Sequence, residues 1–240
     1  IKRNLDIKWD NVAGNIRPLL KWDDEMWELM YRAGCRSMFV GAESGFQKAL
    51  DMIDKKLTVG EIIQFAEKSV KYNIRIIFSM MIGLPWGPDI DQTRKLVREE
   101  FDGTLVLAKK IIEISDRHRP SFTIYTPYPG TPLWDKALKL GVKPPASLEG
   151  WSNWISRIRN TPWIDPKLVK RSQFISEYVF FFMDPTAYGW VTARVNNVFA
   201  RLILKASYKL YIRIGKFRWK HKIYSFPIDY YVYRLGREIL

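Results

Sequence analysis

The feature that most constrains the fold is an alternation of strand-like and helix-like segments over residues 1–140. Apolar runs rich in branched side chains, such as Arg36 to Val40 and Ile74 to Ile82, predict buried parallel strands. Between them lies a segment with a helical apolar period, which begins at Thr58 with Glu61 as its capping-box partner. The alternation predicts parallel β/α units, which either close into a barrel or form a doubly wound sheet.

Two further strands and a long helix extend this pattern. Leu5 to Trp9 and Ser121 to Tyr125 are predicted strands, and Asp91 to Ser115 is a predicted helix. Four strands are too few for a complete barrel. We therefore expect an α/β domain over residues 1–140 that is a fragment of a partial TIM-like (β/α) barrel.

The alternation of strand-like and helix-like segments ends near Lys143. Pro144 and Pro145 interrupt the pattern, and helical periods follow over Leu168 to Met183 and over about Thr186 to Lys222. Residues 141–240 are therefore predicted to form a mostly helical, basic carboxyl-terminal extension.

The positive charge is concentrated near the end of the chain. The formal net charge is +14, and residues 191–240 hold eleven Lys or Arg against two Asp or Glu. Such a segment is either a solvated helix face or a contact for something anionic, namely lipid head groups, nucleic acid or an acidic partner. Trp, Tyr and Phe are interspersed with Lys and Arg on the predicted helix, and no RNA-binding module is recognisable. The pattern favours an anionic membrane surface over nucleic acid.

Cysteine and histidine are scarce. The single cysteine, Cys35, excludes an internal disulfide framework and indicates a reducing compartment. No apolar run approaches the length of a membrane-spanning helix. We therefore expect a cytoplasmic protein that associates with a membrane surface. His118 falls in a charged segment that predicts a loop and His221 in the basic tail, so they predict no zinc site.

Three segments are candidates for a binding site because each follows a predicted parallel strand. They are residues 41–45 (Gly-Ala-Glu-Ser-Gly), residues 82–88 (Ile-Gly-Leu-Pro-Trp-Gly-Pro) and residues 125–132 (Tyr-Thr-Pro-Tyr-Pro-Gly-Thr-Pro). Carboxyl ends of parallel strands share one edge, where ligands bind. Taken alone, the first segment is typical of a turn whose carboxylate caps the next helix, and the third is typical of a rigid turn.

Together with their order, these segments give the chain a family resemblance. Residues 1–140 resemble the second half of a radical S-adenosylmethionine (SAM) core, of the subgroup that often carries an upstream cobalamin-binding domain. The resemblance rests on five segments in order: Ala33-Gly-Cys-Arg36 followed by Val40-Gly-Ala-Glu-Ser-Gly45, Lys55-Lys-Leu-Thr58, Met80-Met-Ile-Gly-Leu-Pro85 and Thr126-Pro-Tyr-Pro-Gly-Thr131.

The resemblance implies a partial (β/α)6 barrel and a defined chemistry. In the family, three clustered cysteines hold a [4Fe-4S] cluster that chelates SAM and cleaves it reductively to a 5′-deoxyadenosyl radical, and a methyl-corrinoid can also transfer methyl. The implied substrate is a small molecule, with lipids, tetrapyrroles and natural-product scaffolds all open. By position, the implied SAM contacts are Gly41, Glu43, Ser44, Gly83, Leu84, Pro85, Tyr125 and Pro127.

Two departures from the family pattern matter. The cluster cysteines are absent, Cys35 matches a cysteine that is not a ligand, and the chain begins near the family's third strand. We therefore predict no metal ligand in the chain and expect it to be a fragment that is inactive alone. Where the family has a Gly-Glu-Thr-like sequence, the chain has residues 85–89, Pro-Trp-Gly-Pro-Asp. Either Asp89 substitutes for the family's acidic residue, or that contact is lost.

A second function of a different class also fits the sequence. The chain would then be a non-catalytic module, a decayed barrel whose basic, aromatic tail binds a membrane surface or RNA. An upstream cluster motif would favour the enzyme, and its absence would favour the module.

Overall fold

A parallel sheet of four strands organises the first part of the chain in a computed structural model that describes residues 7–154, 161–184, 195–225 and 227–232. Each strand pairs in parallel with the next one in the sequence. The predicted α/β class with a parallel sheet is confirmed. The strands are Val12–Gly14 (β1), Ser37–Glu43 (β2), Arg75–Ile82 (β3) and Arg119–Ile124 (β4).

Helices connect the strands and continue beyond them. The chain divides into two compact units, residues 1–169 and 170–240. The helices of the described residues include Ile16–Leu20 (α1), Asp24–Arg32 (α2), Gln47–Met52 (α3), Val59–Lys71 (α4), Ile90–Ile114 (α5), Trp134–Lys139 (α6), Leu148–Ser152 (α7), Pro166–Phe174 (α8), Phe180–Met183 (α9) and Val198–His221 (α10). A π-helical segment, Ile175–Val179, joins α8 to α9.

The two faces of the sheet differ in exposure. On β3, Ile76, Phe78, Met80 and Ile82 are buried, whereas the residues that alternate with them are only partly buried. On β2, Phe39 points to the second face and is 41% exposed. Parallel sheets are normally covered on both faces. In the described part of the chain, one face of this sheet is therefore fully buried and the other only partly.

The helical layer contains one element that the sequence specified in detail. Thr58 caps α4, as its Oγ1 accepts a hydrogen bond from the Glu61 amide at 3.1 Å. The Glu61 carboxylate in turn accepts from the Thr58 amide at 2.7 Å. This hydrogen bond lowers the pKa of Glu61. The predicted capping box is confirmed.

Some element boundaries differ from the prediction. Residues 5 and 6 of the predicted first strand lie outside the described residues, and Trp9 makes an isolated parallel bridge with Cys35. Among the described residues the first strand is β1, which sequence analysis missed because three residues carry too short a pattern to recognise. Residues 186–194 of the predicted long helix also lie outside the described residues, and α10 begins at Val198 with Asn197 as its N-cap.

His118 is a second difference from the sequence prediction. It is 4% exposed rather than part of a solvated loop. Its Nδ1 accepts a hydrogen bond from the Ile76 amide at 3.2 Å, and its Nε2 lies 3.1 Å from the Ala66 carbonyl oxygen. Burial lowers the pKa of His118 to about 4. The imidazole therefore joins α4 to the sheet as a neutral group.

The second unit packs α10 against the helix pair α8–α9. Phe182 stacks on Tyr211 with ring centroids 4.7 Å apart, and a Cβ added at Gly215 would lie 3.5 Å from the Val179 carbonyl oxygen. The Asp229 carboxylate accepts hydrogen bonds from the Arg218 guanidinium at 2.5 and 2.9 Å. Aromatic rings and a partly buried ion pair therefore contribute to the packing of this unit.

Candidate functional site

The three candidate segments lie along one edge of the sheet. β2 and β3 pair through Gly41 and Ser79, and β3 and β4 pair through Ile82 and Ile124. Because the strands are parallel, residues 41–45, 83–85 and 125–127 all follow at the carboxyl-terminal edge.

Glu43 has an unusual backbone conformation at this edge. Its φ is 62°, in the left-handed region, and the register of β2 shifts between Gly41 and Glu43. A bulge of this kind re-aims a side chain. The Glu43 carboxylate consequently folds back over Gly41, where an added Cβ would lie 2.2 Å from Glu43 Oε1. Glycine at position 41 makes room for a carboxylate.

A lysine accompanies this carboxylate. Lys55 Nζ lies 2.7 Å from Glu43 Oε1, and the two side chains are 26% and 23% exposed. Glu43 Oε2 has no hydrogen-bond partner among the described residues. The pair therefore presents one negative and one positive group to solvent at the end of β2.

Ser44 and Gly45 have structural roles next to this pair. The buried Ser44 Oγ lies 3.2 Å from Thr104 Oγ1 and accepts a hydrogen bond from the Phe46 amide at 3.1 Å. A Cβ at Gly45 would lie 2.4 Å from the Gly103 carbonyl oxygen. Only glycine permits this close approach to α5. The two glycines therefore have different roles: Gly41 makes room for the side chain of Glu43, and Gly45 allows the close approach of α5.

The segment after β3 is held by a carboxylate that sequence analysis did not single out. Glu100 Oε2 accepts hydrogen bonds from the Gly83 amide at 3.2 Å, the Leu84 amide at 3.3 Å and the Trp86 indole at 2.9 Å. The Gly83 carbonyl oxygen accepts from the Trp163 indole at 3.0 Å. Gly83, Leu84 and Pro85 are buried. Their backbone groups are thus engaged within the protein.

Glu100 itself is fully buried in α5. Its Oε1 has no hydrogen-bond partner among the described residues. Burial raises the pKa of Glu100 to about 7, although its three donors favour the charged form. The carboxyl group is therefore poised between its protonated and charged forms near neutral pH.

A sequence signal for Glu100 did exist. The positions of α5 at alternating spacings of four and three residues are all buried: Thr93, Val97, Glu100, Thr104, Leu107 and Ile111. These spacings place residues on one helical face. A glutamate in the middle of such a stripe indicates a buried carboxylate that needs donors.

Asp89 is the N-cap residue of α5. Its carboxylate caps α5 by accepting a hydrogen bond from the Gln92 amide at 2.8 Å. The Thr93 hydroxyl donates to the Asp89 carbonyl oxygen at 2.7 Å and accepts from the Gly87 amide at 2.8 Å. The acidic contact to the segment after β3 comes from Glu100 instead.

The third segment is bordered by aromatic rings. Tyr125 and Pro127 are buried, and the Pro127 carbonyl oxygen accepts a hydrogen bond from the Trp154 indole at 2.8 Å. Burial raises the pKa of Tyr125, and the Thr131 hydroxyl partly offsets the shift. Tyr128 is 47% exposed beside these residues. This segment contributes an apolar wall with one accessible phenol.

The described residues contain no cluster of ligands for a metal ion. Across the described ranges, no group of three His, Cys, Asp or Glu side chains converges. Cys35 is buried, its Sγ lies 3.7 Å from the Ser37 carbonyl oxygen, and burial raises its pKa to about 11. Cys35 therefore behaves as a small apolar residue.

Comparison with known proteins relates the chain to a curated protein. The chain matches no family model. It is similar to the Uncharacterized methyltransferase PH0819 of Pyrococcus horikoshii, with 29% identity over 193 residues. The similarity covers 77% of this chain and 36% of PH0819, so the chain spans about a third of that relative's length.

Proposed function

We propose that this chain forms the SAM-binding side of a radical SAM enzyme that acts on a small molecule. The observation that carries the proposal is the carboxylate of Glu43, which the bulge and the left-handed φ of Glu43 place over Gly41 and beside Lys55, partly exposed, at the carboxyl-terminal edge. Backbone conformations of this kind concentrate at functional sites. The similarity to a protein named a methyltransferase supports SAM as the cofactor.

The sheet also supports the proposed architecture. Its strand order is sequential, and in the described residues its second face is less buried than the first. Both features fit a partial (β/α) barrel whose interior is the less buried face. Ligands of such barrels bind at the carboxyl ends of the strands, where Glu43 lies.

The residues at this edge fit SAM. The Glu43 carboxylate can accept hydrogen bonds from the amino group or the ribose hydroxyls of SAM. Lys55, which lies next to Glu43, can pair with the carboxylate of SAM. Tyr128 offers an exposed aromatic face near the same edge. Ser44, Gly83 and Leu84 support the two loops through their own hydrogen bonds, and Pro85 is buried next to them.

The chain's residues do not fit a [4Fe-4S] cluster. The sequence holds a single cysteine, which is buried with a raised pKa. In the proposal, the cluster and cobalamin are held by further parts of a longer protein.

The proposal is tested by measuring SAM binding with isothermal titration calorimetry. The wild-type chain, Glu43→Gln and the matched control Glu99→Gln are compared, because Glu99 is an exposed glutamate on α5. A charge-assisted hydrogen bond contributes about 1.5–3 kcal/mol, so Glu43→Gln should weaken binding at least about tenfold. The control should bind like the wild type.

Equal affinities for Glu43→Gln and the wild type would remove Glu43 from the site. The whole proposal would fail if a longer form with three clustered cysteines, reconstituted anaerobically with iron and sulfide, bound no SAM.

A further inference from the structure

Helix α10 has one packed face and one exposed apolar face. Tyr208, Gly215 and Trp219 lie on the side that contacts α9 and the π-helical segment. On the opposite side, large apolar residues recur at spacings of three, four and seven residues. They are Phe199, Leu202, Ile203, Leu210 and Phe217, and each is more than half exposed.

The same helix is strongly basic. Residues 198–221 contain seven Lys or Arg and no Asp or Glu. Lys205, Lys209 and Lys220 are exposed, and none has a carboxylate partner among the described residues. At 3.6 residues per turn they flank one side of the apolar stripe. Cations thus lie beside the apolar residues rather than across the helix from them.

A groove continues the stripe at the end of the helix. Its volume is about 450 Å³, and Ile214, Phe217 and Ile223 line it together with Arg213 and Arg218. Arg218 is already paired with Asp229, whereas Arg213 is exposed with no carboxylate partner among the described residues. The groove therefore combines an apolar floor with a cation at its rim.

We propose that this face of α10 binds an anionic membrane surface, with the apolar stripe in the interfacial region and the lysines on lipid phosphates. Interfacial helices combine an apolar face with flanking basic residues that extend to the head groups. No helix in the described ranges is long and apolar enough to cross a bilayer, which leaves contact with the surface. This inference rests on α10 alone and does not depend on SAM binding.

Charge complementarity favours this occupant over the alternatives. In a second copy of the chain, the stripe would bring two basic helices without carboxylates side by side, and like charges repel. Nucleic acid would satisfy the lysines but would leave Leu202, Ile203 and Leu210 in water. An anionic bilayer satisfies both the charges and the apolar side chains.

The test is flotation of the full chain with two kinds of vesicle. One kind is phosphatidylcholine alone, and the other contains about one third phosphatidylglycerol. Each Lys or Arg near an anionic surface strengthens binding about fivefold, so the anionic vesicles should bind the chain more than tenfold better. Salt at about 1 M should reduce this difference because the Debye length falls to about 3 Å.

Two variants separate the apolar and the charged contributions. Phe199→Ser/Leu210→Ser should weaken binding to anionic vesicles at least about tenfold. Lys205→Gln/Lys209→Gln should remove most of the preference for them. Matched controls are Val106→Ser/Leu148→Ser and Lys109→Gln/Lys110→Gln, which change equally exposed residues of the first unit. The controls should bind like the wild type.

Several results would overturn the inference. These are no preference for anionic vesicles, equal losses in the α10 variants and the controls, or binding of a short RNA without binding of vesicles. Dimerisation in sedimentation that Phe199→Ser/Leu210→Ser abolishes, without vesicle binding, would assign the stripe to a second copy.

Discussion

The loops after β2 and β3 each contain an acidic contact, but the two carboxylates have opposite environments. Glu43 is the last residue of β2 and forms a pair with Lys55 in which each side chain is about a quarter exposed. Glu100 reaches the loop after β3 from α5, is fully buried and accepts three hydrogen bonds. At one edge of the sheet, two neighbouring loops thus contact one carboxylate that is partly exposed and one that is buried.

The two environments give the carboxylates different roles: Glu100 supports a loop, and Glu43 is available to a ligand. A buried carboxylate whose donors are backbone amides and an indole fixes the loop, because each unpaired donor would cost free energy. A solvent-facing carboxylate paired with one lysine contributes little to stability and can exchange its partner for a ligand. In this comparison Glu100 organises the site and Glu43 is the group that a ligand can reach.

The largest expected effect is the loss of Glu100. Glu100→Ala would leave the Gly83 and Leu84 amides and the Trp86 indole without their acceptor. We expect the free energy of unfolding to fall by roughly 4 kcal/mol, measured by urea denaturation at pH 5. The exposed neighbour supplies the control, since Glu99→Ala should change it by less than about 0.5 kcal/mol. Similar effects of both substitutions would contradict the supporting role of Glu100.

The next effect concerns how the free energy of unfolding depends on pH. Glu100 and His118 contribute to this dependence with opposite signs. Burial raises the pKa of Glu100 from 4.5 to about 7, so the folded chain holds that proton more tightly. Its contribution to stability is complete below pH 4.5 and falls by about 3 kcal/mol as the pH rises to 7. Burial lowers the pKa of His118 from 6.5 to about 4, so its contribution is complete above pH 6.5 and is lost as the pH falls to 4.

These opposite slopes predict a nearly constant free energy of unfolding between pH 4.5 and 6.5 in the wild type. Glu100→Gln removes one slope, so its stability should rise with pH across that range by about 3 kcal/mol. Urea denaturation at several pH values measures both profiles. Parallel profiles for Glu100→Gln and the wild type would show that Glu100 does not titrate in this range.

A smaller effect is expected from substituting Gly45, which tests how closely the backbone after β2 approaches α5. Gly45→Ala places a Cβ 2.4 Å from the Gly103 carbonyl oxygen and 2.7 Å from Leu107 Cβ. We expect thermal unfolding to show a loss of about 2 kcal/mol from overpacking. At Gly60, in α4, the nearest atom is 3.8 Å away, so Gly60→Ala should stabilise the chain slightly. Equal melting temperatures for the two variants would refute the close approach.

The smallest effect is expected at the exposed pair. Lys55→Met should lower the free energy of unfolding by only about 0.5 kcal/mol, because ion pairs that face solvent contribute little. Chemical denaturation at pH 7 measures this change, with Lys56→Met as the control for an exposed lysine. A loss comparable to that of Glu100→Ala would erase the distinction between the two carboxylates.

Sequence analysis predicted the parts of the fold that short-range patterns specify. Apolar periods indicated β2, β3, β4 and α5, and the Thr58–Glu61 spacing specified the start of α4. It missed the three-residue strand β1 and placed His118 in a loop. Polar residues near buried segments are ambiguous in sequence, because their burial depends on donors that come from distant elements.

The candidate site shows the same limit. The sequence indicated that Gly41, Glu43 and the loop after β3 lie at strand ends, and parallel pairing is enough to bring those ends to one edge. It gave no reason to connect Gly83 with Glu100 or Ser44 with Thr104. These contacts span 17 and 60 residues and depend on where α5 packs.

By itself, the sequence determined the alternation of strands and helices, the α4 cap, the strand-end position of the polar residues and the basic character of α10. Only the tertiary structure decided which carboxylate is buried and which faces solvent. Helical and strand periods assign each side chain to a face, whereas the packing of α5 against the sheet decides whether that face is dry. The free energy of a charged group depends on that environment more than on its position in the chain.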